Sequence, residues 1–188
     1  DPELSRGLGD VYKRQWLYFG TGNTQKLQEQ STNIKNRVYG IKDKNFPSFS
    51  TINSSGTVAQ CKTAPTCPGG SDLGWYVDLA NKQKLTAEPT IYKDTVYYPI
   101  YQPTSGGTGC NTGTALLTAY NSKCGNSVLN VNVGTGVLSK VVVQKDNLYI
   151  GIAGEAKENI AGFTSKDNLI TGKSKAKGGG AISVEGWK

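Results

Sequence analysis

The 188-residue chain has no histidine and no methionine. Without an imidazole, Ser-His-Asp and Cys-His nucleophilic sites are excluded. The acids past residue 15 (Asp43, Asp72, Asp78, Glu88, Asp94, Asp146, Glu155, Glu158, Asp167 and Glu185) occur singly, mostly at turn positions, and no pair of the glycosidase kind is visible. No run of 18 apolar residues exists, so nothing here reads as a membrane-spanning helix. No signal peptide is visible either. The missing methionine, and a strand-like run that stops just before Trp187-Lys188, predict a piece of a larger protein.

Helical periodicity is also scarce. The one plausible helical scrap, 25–30, lacks an apolar face. What remains is rich in turn residues, with 24 glycines separating short β-branched and aromatic runs, which is the all-β pattern. The formal net charge is +7. The lysines are spread singly, whereas a nucleic-acid groove needs them clustered among stacking aromatics, so no nucleic-acid partner is expected. The one local cluster, Lys166, Lys173, Lys175 and Lys177, runs into Gly178-Gly179-Gly180 and reads as a flexible loop. Residues 1–15 differ from the rest in composition and resemble a translated sequencing adapter. They are read as a non-native tail, leaving 16–188 as the folded part.

One strand pair recurs. Trp16-Leu17-Tyr18-Phe19-Gly20 is followed by Val38-Tyr39-Gly40-Ile41-Lys42-Asp43-Lys44. Thr95-Val96-Tyr97-Tyr98-Pro99 is followed by Leu117-Thr118-Ala119-Tyr120-Asn121-Ser122-Lys123. A third start, Asn147-Leu148-Tyr149-Ile150-Gly151, has no second strand on the same schedule. Repeated strand pairs predict a radial or stacked array, because one unit cannot bury its apolar face alone. The expected fold is therefore a partial β-propeller of about two to three antiparallel blades with long disulfide-containing loops. Two hairpins are legible, one turning at Lys93-Asp94 and one at Lys145-Asp146-Asn147. Polar stretches 21–36, 44–72, 102–113 and 153–178 interrupt the strands, and long loops on a β scaffold are where binding tends to sit.

The four cysteines form two close pairs, Cys61 with Cys67 and Cys110 with Cys124. Neither has the short spacing of a zinc site. Two local structural disulfides are expected, since short loops close at least entropic cost. Each would add roughly 2–3 kcal/mol on the chain-entropy model. Disulfides point to an oxidising compartment.

Nucleotide and metal motifs fail. Thr171-Gly172-Lys173-Ser174 resembles the end of a phosphate loop, but Asp167 stands where its first glycine belongs and no helix follows. Gly20-Thr21-Gly22 lacks the third glycine of a dinucleotide fingerprint, and Asp43-Lys44-Asn45-Phe46 abandons the calcium-loop pattern at once. Trp75, Tyr76, Tyr92, Tyr97, Tyr98 and Tyr101 suit either a sugar-stacking face or strand packing, and packing is the commoner use. No catalytic, cofactor-binding or metal-binding residue is assigned.

The order of the Trp16–Gly22 strand, Val38-Tyr39-Gly40-Ile41-Lys42-Asp43, Gly74-Trp75-Tyr76-Val77-Asp78-Leu79, Glu88-Pro89-Thr90-Ile91-Tyr92 and Val96-Tyr97-Tyr98-Pro99 resembles the PilY-type family of type IV pilus biogenesis and tip-adhesin proteins. The likeness covers residues 16–125 well and 126–188 loosely. It implies a non-enzymatic protein, exported through the periplasm to the cell surface, whose partners are pilin or minor-pilin components and a host or abiotic surface. The family's Asp-rich calcium loop is not in this chain, so any calcium site would lie in a missing upstream part. The alternatives are a fragment of a quinoprotein-type propeller oxidoreductase and a secreted carbohydrate-binding module.

Overall fold

A computed structural model describes residues 15–29, 34–43, 61–69, 72–80, 82–104 and 112–176. The fold is all-β, and no α-helix occurs among the described residues. Strands β1 (Gln15–Gly20), β2 (Arg37–Asp43), β3 (Cys61–Thr63) and β4 (Gly74–Asp78) form a four-stranded sheet in the order β1-β2-β4-β3. Its first three strands are antiparallel, and β3 adds to β4 in parallel. In place of a helical scrap at 25–30 there is a single 3-10 turn over Thr24–Lys26, capped by the Asn23 side chain.

The remaining strands form a nine-stranded sheet. Strand β7 (Thr95–Gln102) and β8 (Thr114–Asn121) are its centre. Strand β7 is flanked by β5 (Lys84–Leu85) and β6 (Thr90–Tyr92), and β8 by the long β9 (Ser127–Leu138). Then follow β10 (Val142–Gln144), β11 (Asn147–Ala156), β12 (Phe163–Lys166) and β13 (Leu169–Lys173). Strand β11 joins the two sections. Its second half pairs with β9, and its first half pairs with β10 and β13. Neither sheet closes on itself among the described residues.

The β7–β8 hairpin is buried on both faces. Val96, Tyr98 and Ile100 enter one core cluster with Val38, Trp75 and Leu79 of the first sheet. Tyr97, Ala115, Leu117 and Ala119 enter another with Leu148, Ile150, Phe163 and Ile170. The period-two alternation of a strand thus serves two cores at once. The molecule has three layers: the first sheet, the β5–β9 section and the β10–β13 section.

The recurrent strand pair is real, and it occurs three times. Tyr18 faces Gly40, Tyr97 faces Ala119 and Tyr149 faces Thr171, each time 22 positions on (18 to 40, 97 to 119, 149 to 171). One pair lies in each layer. The third was hidden because the β12 hairpin is inserted before its second strand, and because 153–178 is polar enough to pass for a loop. That stretch instead holds the end of β11 and all of β12 and β13. Lys166 and Lys173 stand on strands, with Lys175 just beyond. Gly172 belongs to β13, where the Phe163 ring fills the space a Cβ would take.

The second legible hairpin turns in two residues rather than three. Gln144 pairs with Asn147, and both Lys145 and Asp146 have positive φ. That is the type I′ geometry matched to strand twist.

Candidate binding surfaces

The contact between the first two layers is built around Trp75. Strand β4 places the indole between the sheets, fully buried. Its Nε1 donates to the Ser122 carbonyl at 2.8 Å, and the Tyr18 hydroxyl donates to the same oxygen at 3.1 Å. Tyr98 donates to the Tyr39 carbonyl at 2.9 Å. Burial pushes the Tyr18, Tyr98 and Tyr120 hydroxyls well away from ionisation, so they remain donors. Ring contacts between Trp75 and Tyr120 (6.2 Å) and between Tyr98 and Tyr120 (5.9 Å, edge-on) complete the seam.

A disulfide closes it, and its pairing is not the expected Cys61–Cys67 or Cys110–Cys124. Cys67 bonds Cys124, with Cα atoms 4.2 Å apart, 57 positions away in sequence. Cys61 is a buried free thiol whose ionisation is pushed up by burial and by Asp72. Cys110 lies outside the described residues. Short-loop entropy favours local pairing, but layer packing overrides it by setting the β3–β4 connection against the β8–β9 turn. Ala64 and Trp75 both press on Gly125 in that turn, whose φ of +71° suits glycine.

The two candidate contact loops leave opposite ends of the stack. Residues 61–69, within the stretch 44–72, lie at the end where β8 finishes and Cys124 sits. Stretch 102–113 leaves the other end, where Gln102 faces Thr114. There the Tyr101 hydroxyl accepts from the Gly113 amide at 2.8 Å and from the Gln28 side chain. Lys84 is buried and donates to the carbonyls of Leu27 and Glu29, each at 2.7 Å. Burial lowers its pKa. These bonds satisfy carbonyls just past the 3-10 turn. The sequence offered one signal for this cluster: a lysine at the first position of a strand that faces the core.

Of the six aromatics with two readings, Trp75, Tyr97, Tyr98 and Tyr101 are core residues. Tyr76 and Tyr92 are half-buried. Tyr76 belongs to an outward row across the first sheet. Phe19 stacks on Tyr39 (centroids 4.9 Å apart), Tyr39 meets Tyr76 at 6.3 Å, and the Arg37 guanidinium lies 4.5 Å over Tyr76 while pairing with Asp78 at 2.6 Å. At the opposite face of the molecule an open groove of about 490 Å³ lies between β11, β13 and β12, lined by Tyr149, Thr164, Thr171 and Lys173 among others.

Among the described residues, no three acids or cysteines gather as a metal-binding group would require. No helix of the described residues is long and apolar enough to cross a membrane. No protein-family model, no curated protein and no solved structure matches the chain.

Proposed function

We propose that this chain is a run of consecutive β-propeller blades from a PilY-type protein, working as a binding scaffold in type IV pilus biogenesis and adhesion rather than as a catalyst. The observation that carries the propeller reading is the threefold register of Tyr18, Tyr97 and Tyr149, one pair per layer. The contacts between layers repeat as well. Tyr18 donates to the carbonyl of Ser122, three positions past Ala119. The Tyr97 hydroxyl bonds Ser174, three positions past Thr171. Each layer therefore grips the next through equivalent residues, as successive blades do.

The pilus reading draws on the order of motifs in residues 16–125. Those motifs are the strands that meet at the first seam: Tyr18, Tyr39, Trp75 and Tyr98 all come from them. The Cys67–Cys124 bridge suits a route through the periplasm to the cell surface. Pilin or minor-pilin components and a host or abiotic surface are the partners on this reading. The loop ends are the contact regions, since a stapled loop on a rigid sheet presents a surface at low entropic cost.

The test is a loop replacement in the full-length protein. Residues 46–58 are exchanged for a short Gly/Ser linker, sparing Cys61 and Cys67 and hence the bridge. Surface attachment or pilus display should fall while circular dichroism is unchanged. Normal piliation and attachment would remove the role assigned to that loop, and substrate turnover by the purified chain would overturn the non-catalytic reading.

A further inference from the structure

The register that repeats in the strands repeats at the hairpin tips as well. Lys93 and Lys145 stand four positions before Tyr97 and Tyr149, and Lys123 and Lys175 four positions past Ala119 and Thr171. In sequence, the same count past Gly40 gives Lys44. One hydrogen bond places the second lysine of each layer. The Ser122 amide donates to the Asp94 carbonyl at 2.7 Å, and the Ser174 amide to the Asp146 carbonyl at 2.8 Å. Each serine ties its strand end to the turn that opens the layer, and the next residue, Lys123 or Lys175, is exposed. Lys93 reaches across to Asp146 at 2.7 Å, so the tips of the two layers meet at one end of the stack. Lysines scattered along the chain are thereby gathered in space.

This end differs from an ordinary polar rim in two ways. Lys93 and Lys145 hold positive φ, +54° and +47°, which asparagine or glycine adopts more readily at a hairpin turn. A lysine there gives up turn preference for a charge, twice at the same place in the register. The charge is also not neutralised locally. The Asp146 carboxylate is taken by Lys93 and Tyr92, and that of Asp94 accepts from the Thr95 hydroxyl. Among the described residues, Lys123, Lys145 and Lys175 have no carboxylate partner. Layers adjoin through their faces, whereas these lysines sit at strand ends. A layer added before or after the described ones therefore lengthens the row and does not cover it.

We infer that this row is a docking surface for an acidic polypeptide segment that runs across the hairpin tips from layer to layer. The side chains present select that partner. The row has lysine and no arginine, hence single point charges rather than the bidentate forks suited to phosphate. Tyr92, the ring beside the row, donates to Asp146 and lies 5.1 Å beneath the Lys93 ammonium, so it is not free to stack on a base or a sugar. No exposed large apolar side chain stands in the turns 93–94, 122–126, 145–146 or 174–176 to enter a membrane. Carboxylates are what the row suits. Packed layers lie about 10 Å apart and an extended chain advances about 3.3 Å per residue, so an acid at every third position meets one layer after another. The row depends on the strand register and the turns, and stands whether or not the chain serves a pilus.

The experiment is fluorescence anisotropy of a dye-labelled peptide of Glu-Ser-Gly repeats, titrated at low salt with the 188-residue chain. The peptide should bind, and added salt should weaken it, because exposed charges are screened. Lys123→Glu combined with Lys175→Glu should weaken binding about tenfold, since two exposed pairs are lost and two repulsions replace them. Lys35→Glu combined with Lys157→Glu makes the same change in net charge at the opposite end of the strands, before β2 and after β11. Binding by that control should stay within about twofold of the wild type. All four positions are exposed, and circular dichroism verifies that both double variants fold. A wild type that does not bind the peptide overturns the inference. So does binding indifferent to salt, and so does an equal loss in the two double variants, which would mean general attraction to a positive protein. Tighter binding of single-stranded oligothymidine than of the peptide overturns it too, by making the row a nucleic-acid surface.

Discussion

Between the first sheet and the β7–β8 hairpin the contact is aromatic, polar and covalently closed. Between that hairpin and the last layer it is aliphatic, with Leu117, Val133, Leu148, Ile150 and Ile170 at its centre. Strands β9 and β11 pair directly across the second seam, so backbone hydrogen bonds already join its two sides. No strand pairing joins the sides of the first seam among the described residues. There the work falls to Trp75, the shared Ser122 carbonyl and the Cys67–Cys124 bridge. Where strand pairing is continuous, plain hydrophobic packing suffices. Where the sheets are separate, directional contacts and a cross-link replace it.

The sharpest way to break that contrast is Trp75→Ala. Removing a buried tryptophan costs about 3–5 kcal/mol, and denaturant titration should show this loss. Hydrogen exchange should place it mainly in β1, β2 and β4, with β9 and β11 protected longer. Equal loss in both seams would show that the layers unfold as one unit.

Next comes the double substitution Cys67→Ser with Cys124→Ser. A bridge spanning 57 positions contributes up to about 4 kcal/mol on the chain-entropy model. The denaturation midpoint should fall accordingly, and loosening should again begin in the first sheet. A smaller loss follows from Gly125→Ala. Its Cβ would stand 2.7 Å from both Ala64 and Trp75 at a φ of +71°, which should cost about 2 kcal/mol in the same titration.

The smallest effect belongs to the second seam. Asp146 accepts from Lys93 at 2.7 Å and from the Tyr92 hydroxyl at 2.8 Å, bringing the tip of one hairpin onto the next. The Lys93 hydrogen bond, then that of Tyr92, holds the Asp146 carboxyl below its ordinary pKa. Its contribution is therefore present above the ordinary aspartate range and is lost as pH falls through the lowered folded value. Asp146→Asn should flatten only that acid limb of the stability profile, and slightly, because the pair is exposed. An unchanged acid limb would mean the contact adds nothing.

The strands of the first two layers were legible because aromatic and β-branched residues crowd them and their glycines and Lys-Asp turns mark the ends. The third pair was not. Its second strand, Leu169–Lys173, follows an inserted hairpin and carries Thr171 and Gly172 where the others carry a longer apolar run. The disulfide was misread for a related reason. Loop entropy depends on separation along the chain, whereas Cys67 meets Cys124 through the packing of two sheets, which no local pattern encodes. Burial of Trp75, Tyr97 and Tyr98 followed from their strand positions. The Lys84 cluster did not, because its partners are backbone carbonyls with no signature of their own.

The Cys67–Cys124 bridge also has a mechanical consequence. Strands β4 to β8 all lie within the loop it closes. The covalent path of tension along the chain runs from Cys67 to Cys124 through the sulfur atoms rather than through the backbone of Trp75 and the β7–β8 hairpin. Full extension of the 57 bridged positions would otherwise release roughly 190 Å of contour length. With the bridge intact that length stays locked, and the doubly buried hairpin at the centre of the molecule lies off the covalent path of the load.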